Sequence, residues 1–100
     1  MTATSHDFTK AQRTLASAFA KASSERNKRE RFDETTGELG WVLHERSVLL
    51  SEVNTIRQGH GLAPVTAGDI ESIESTAKGH IDYAGKLTLR CAELAVGFRG

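Results

Sequence analysis

Gly59-His60-Gly61-Leu62-Ala63-Pro64-Val65-Thr66 decides the architecture. Two glycines and the chain's single proline fall between two segments with helical apolar spacing. A helix cannot run through them, because proline removes a backbone donor and glycine lowers helix propensity. The break at residues 59–66 therefore predicts a helical hairpin.

Upstream of the break, Leu39, Val42, Leu43, Leu49, Leu50, Val53 and Ile56 share one face of a helix from about Glu38 to Gln58. Arg46 stands where the heptad spacing asks for an apolar residue, and Trp41 and Val48 form a flanking ridge. Gly40 inside the first turns would cost about 1 kcal/mol relative to alanine, which predicts a frayed start or a close helix approach. Thr35 and Glu38 have the spacing of a capping box.

Downstream, Thr66 and Asp69 make a second capping box, opening a helix to about Lys78 with Ile70, Ile73 and Ala77 inward. Gly79 reads as its C-terminal cap and Asp82 as the next N-cap. The last helix runs from about Asp82 to Val96. Ile81, Ala84, Leu87, Cys91, Leu94, Ala95 and Phe98 lie on one face, and Leu89, Ala92 and Val96 on another. It is the most apolar helix and is expected at the centre.

The N-terminal stripe is Phe8, Ala11, Leu15, Ala18, Phe19 and Ala22, capped by Asp7 or Thr9. Beyond Ala22 the chain becomes a charged stretch over residues 23–37, either a solvated helical arm or a connection. No strand pattern competes. The expectation is one all-α domain over residues 1–100, a compact bundle of about four helices.

One hundred residues build a single core without a deep internal active site, which places function on a surface. Thirteen Lys and Arg balance thirteen Asp and Glu, which argues against a dedicated nucleic-acid binder. With one cysteine, Cys91, no intrachain disulfide forms. The N-terminus lacks a signal-peptide pattern and no apolar run is long enough to span a bilayer. These features predict a cytoplasmic protein without membrane contact.

No catalytic set is evident and no cofactor is implied. His44-Glu45 lacks the second histidine of a zinc-protease helix, because Val48 occupies its place. His60, His80 and Asp82 have no zinc-ligand spacing, and Cys91 lies on an apolar stripe, where cysteine packs as a small hydrophobe. A helix-turn-helix reading fails on a long connection and on Asp69, Glu71 and Glu74 in the reading helix.

Two surfaces remain. Trp41, His44, Arg46 and Val48 form the candidate protein-binding patch, with Trp41 either a core cap or an exposed anchor. Lys21, Arg26, Lys28, Arg29 and Arg31 form the alternative, a nucleic-acid stripe tempered by Glu25 and Glu30, although a solvated helix end is the simpler reading because mixed-charge faces are the usual surface of a helix. The two-ridged second and fourth helices also admit a homodimer.

The run Ala77-Lys78-Gly79-His80-Ile81-Asp82-Tyr83-Ala84-Gly85-Lys86-Leu87-Thr88-Leu89-Arg90-Cys91-Ala92-Glu93-Leu94 resembles small helical proteins of phages and prophages. Val53-Asn54-Thr55-Ile56-Arg57 and Gly61-Leu62-Ala63-Pro64-Val65 extend the resemblance, which covers the last half of the chain. It brings no chemical motif and no site residue. It implies a viral accessory protein in the bacterial host cytoplasm, a class that includes anti-CRISPR proteins and other inhibitors that occupy a surface of a larger host complex.

Overall fold

A computed structural model describes residues 4–25, 32–33 and 38–97. The elements are α1 (Ser5–Ser24), β1 (Phe32–Asp33), β2 (Glu38–Leu39), α2 (Gly40–Gly59), α3 (Ala67–Ala77) and α4 (Tyr83–Val96). The four helices pack into one all-α globule. Helices α2 and α4 each pack against the other three, whereas α1 and α3 share no packed face among the described residues.

Helix α1 begins earlier than its apolar stripe. Thr4, not Asp7 or Thr9, is the N-cap: its Oγ1 accepts from the Asp7 backbone N–H at 3.1 Å, and Asp7 Oδ2 accepts from the Thr4 N–H at 3.0 Å. This capping box satisfies two helix-end donors and adds a turn before Phe8. These hydrogen bonds hold the Asp7 carboxyl below its ordinary range, the backbone bond contributing most. Ala11, Leu15, Phe19 and Ala22 are buried as the spacing requires, but Ala18 is only half-buried.

Helix α2 starts at Gly40, so the glycine occupies its first position and its cost inside a helix is avoided. Glu38 pairs with Asp33, and Leu39 with Phe32, in a short antiparallel ladder. The expectation of no strand is therefore corrected: two residues per strand are too few to show an alternating pattern. Thr35 and the rest of the candidate box lie outside the described residues.

The break is held by α2 itself. Asn54 Nδ2 donates to the Val65 carbonyl at 3.1 Å, and Asn54 Oδ1 accepts from the Val65 N–H at 2.8 Å. Arg57 Nε donates to the Ala63 carbonyl at 2.6 Å, and its guanidinium also reaches the Leu94 carbonyl at 2.5 Å, at the C-terminal end of α4. A cation there meets the negative end of the helix dipole. Gly61, at φ 71°, supplies the left-handed residue that ends α2. Helix α3 then opens at Thr66, whose N–H donates to Asp69 Oδ2 at 2.8 Å.

The core joins Leu15 and Phe19 of α1, Leu49 and Val53 of α2, Ile70 and Ala77 of α3, and Leu87, Cys91, Ala92, Ala95 and Val96 of α4. The two faces expected on α4 merge into one wide buried surface, which also contains Thr88. Thr88 Oγ1 satisfies itself on the Ala84 carbonyl at 2.9 Å. Ile81, expected inward, is exposed because α4 begins at Tyr83 and its periodicity does not reach back to it, and Ala84 in the first turn of α4 is exposed as well. Phe98 lies outside the described residues.

Leu49 is fully buried at the α2 contact with the rest of the bundle. Leu49→Ala is expected to cost about 2–5 kcal/mol, the range for a core leucine whose cavity only partly collapses. Chemical denaturation checks this against Ser47→Ala at an exposed position of the same helix, expected to lie within about 0.5 kcal/mol of wild type.

Candidate functional site

Of the expected protein-binding patch, His44, Arg46 and Val48 have described side chains, and these three do not form one surface. Arg46 is turned inward, with only 11% of its side chain exposed. Its Nε and Nη2 donate to Glu74 Oε1 at 3.0 and 2.8 Å, and its Nη1 donates to Glu71 Oε1 at 2.9 Å. The guanidinium fork thus links α2 to α3 through a two-pronged carboxylate pair. Arg46 therefore uses its donors inside the fold, and two of the three α3 carboxylates are paired with it. Glu74, 15% exposed, is engaged inside the fold.

Glu45, next in sequence, is also buried and accepts a hydrogen bond from Ser23 Oγ at 2.7 Å, which ties α2 to the end of α1. Tyr83 and Cys91 lie near this polar cluster. Burial raises the tyrosine pKa, with the Glu74 and Glu45 carboxylates pushing in the same direction and Arg46 opposing them. Burial likewise pushes the Cys91 thiol up to about 12, with a smaller push from Glu74. The thiol is therefore protonated and enclosed, the opposite of an activated nucleophile.

His44 and Val48 do face outward together. With Glu52 they stand at four-residue intervals along α2 and form one wall of an open groove of about 690 Å³. The other wall is α1, where Thr14, Ala18 and Ala22 repeat at the same interval and Arg13, Lys21 and Glu25 form the rim. The groove exists because α1 presents short side chains there, which explains why Ala18 is not in the core. At one end His44 Nε2 lies 3.5 Å from Glu25 Oε2. Arg13, Lys21 and Glu52 have no ion-pair partner among the described residues.

The groove brings together His44 and Val48 of the first expected patch and Lys21 of the second. Arg26, Lys28, Arg29 and Arg31 lie outside the described residues, as does the side chain of Trp41. Arg13, Thr14 and Glu52 were missed by sequence reasoning, because they belong to two helices whose pairing no local pattern encodes. The only available signal was the small-residue repeat Thr14, Ala18, Ala22.

Among the described residues, no group of three or more His, Cys, Asp or Glu is placed to hold a metal ion. No described helix is long and apolar enough to cross a membrane. Comparison of the chain with protein-family models, curated proteins and solved structures gives no match.

Two measurements check the interior chemistry. Arg46→Ala strands the Glu74 carboxylate and is expected to cost about 3 kcal/mol, the low end for breaking a buried pair, whereas Arg46→Met with Glu74→Leu recovers most of that loss in chemical denaturation. Cys91 has a folded pKa above its ordinary 9.0, so its contribution is complete below pH 9 and declines as pH rises toward about 12. Denaturation from pH 8 to 11 is expected to show wild type losing stability relative to Cys91→Ala over that interval.

Proposed function

We propose that this chain is a small non-enzymatic interaction protein that binds a protein partner through the α1–α2 groove. The observation that carries the reading is the row of uncommitted charges on its rim. Arg13, Lys21 and Glu52 have no partner inside the fold among the described residues, while Arg46, Glu71 and Glu74 are paired within it. A rim of both signs around the small apolar floor of Ala18, Ala22 and Val48 suits a protein surface, with an apolar centre and a polar edge. It suits a phosphate backbone less well, since Glu25 and Glu52 line the same groove.

We extend the proposal to a bacterial partner, as the resemblance drawn from the C-terminal sequence implies. In that reading the chain is an accessory protein or inhibitor that occupies a surface of a bacterial macromolecular complex, as anti-CRISPR proteins do, and it acts in the host cytoplasm. Binding by occupation asks only for a rigid surface of the right shape and charge, which a 100-residue helical globule supplies.

The test is capture from bacterial lysate by the tagged chain, with and without nuclease, using wild type and Arg13→Glu with Lys21→Glu. Both substituted residues are exposed, so folding is preserved. The expected result is a protein retained after nuclease treatment, with retention falling about tenfold or more in the double variant, the size of a loss of about 1.4 kcal/mol. Retention abolished by nuclease would reject this reading in favour of nucleic-acid binding by Lys21 and residues 26–31.

A further inference from the structure

The large apolar side chains that stand exposed among the described residues are Ile81 and Tyr83, two positions apart at the junction of α3 and α4. Ile81 is 108% exposed, as open to water as in an isolated extended peptide. Single exposed apolar residues are ordinary. The backbone that presents this one is not, because it is fixed from both sides.

Gly79, at φ 89°, turns the chain out of α3, and the His80 N–H donates to the Ala77 carbonyl at 3.1 Å. On the other side Asp82 Oδ1 accepts from the Gly85 N–H at 2.9 Å, and a Cβ on Gly85 would overlap the Asp82 carboxylate. Ile81 thus projects from a turn whose ordering is complete before any contact is made, which removes one of the main costs of binding.

The surroundings define what fits over it. Lys78 and His80 are exposed beside Ile81, and Lys86 lines an adjoining hollow with Leu89 and Gln12. Lys78 and Lys86 have no ion-pair partner among the described residues, whereas the nearby carboxylates are engaged within the fold, Asp82 by the α4 N-cap, Glu74 by Arg46 and Glu45 by Ser23. A second copy of the chain is a poor occupant. A two-fold contact centred on Ile81 would bring Lys78 and Lys86 of both copies together, and two convex turns bury far less than the roughly 1,000 Å² that a specific interface needs.

We infer that Ile81 is the anchor of a second contact surface, received by an apolar pocket with an acidic rim on a partner protein. Tyr83 packs at the pocket edge, and Lys78 and Lys86 meet the rim carboxylates. The inference rests on the reading that the chain binds a protein, but not on the groove as the place of binding.

The experiment uses the full chain with the photoreactive amino acid p-benzoylphenylalanine in place of Ile81, irradiated in nuclease-treated bacterial lysate. The adduct is mapped by mass spectrometry. In parallel, capture is compared for wild type, Ile81→Asp, Ile81→Val and Lys78→Glu with Lys86→Glu. Position 81 is expected to crosslink to a protein peptide with apolar residues flanked by Asp or Glu. Ile81→Asp should lower retention about tenfold or more at unchanged circular dichroism, Ile81→Val should stay within about threefold of wild type, and the charge reversals should lower retention several-fold. Full retention by Ile81→Asp, the absence of an adduct, or an adduct to a second copy or to nucleic acid would overturn the inference. The groove reading fails separately, when Arg13→Glu with Lys21→Glu retains its partner.

Discussion

Helix α4 carries a buried face too wide for one neighbour to cover. Leu87, Thr88, Cys91, Ala92, Ala95 and Val96 spread around much of its circumference, and three helices are needed to exclude water from them. The rest of the fold follows from that constraint. Helix α2 fills the second central position because Leu49 and Val53 meet this face, and α1 and α3 complete the cover. The alanines and cysteine on α4 are small, so much of this buried face is built without large residues.

Polar side chains of α2 specify how that cover is arranged. Apolar burial is nondirectional, but the Arg46 fork onto Glu74 and Glu71 admits few relative positions of α2 and α3. Asn54 and Arg57 perform the same service for the intervening break, one by reciprocal hydrogen bonds with Val65 and the other by joining the break to the end of α4. Glu45 does so for α1 through Ser23. Each is a polar group close to an apolar seam, and among the described residues no buried side-chain polar atom is left without a hydrogen-bond partner. Such groups contribute specificity more dependably than net stability.

The same division separates interior from surface. Charges turned inward are paired, and the charges left over mark the outer surfaces, Arg13, Lys21 and Glu52 at the groove and Lys78 and Lys86 around the projecting Ile81. Among the described residues the groove is walled on α1 by the short side chains of Thr14, Ala18 and Ala22, and Ile81 projects from the turn just before the α4 N-cap at Asp82. Both are surface features of the described residues, and the proposal of a binding protein rests on them.

Sequence by itself determined the helical class, the break at residues 59–66, the N-caps at Thr66 and Asp82, and the burial of Leu15, Leu49, Ile70 and Cys91, whereas the C-cap of α3 is Lys78, one residue before the expected Gly79. These follow from local backbone chemistry and apolar spacing, which act over a few residues. It misplaced the start of α1, the strand pair, Ile81 and Arg46, and it divided the groove residues between two unrelated patches. Only tertiary structure decided those points. Arg46 stands on an apolar stripe, and nothing nearby in the chain reveals that Glu74, twenty-eight positions away, makes its burial favourable. The groove likewise belongs to neither helix alone. Its walls are legible as small or charged repeats, but their facing is set by how three helices cover α4.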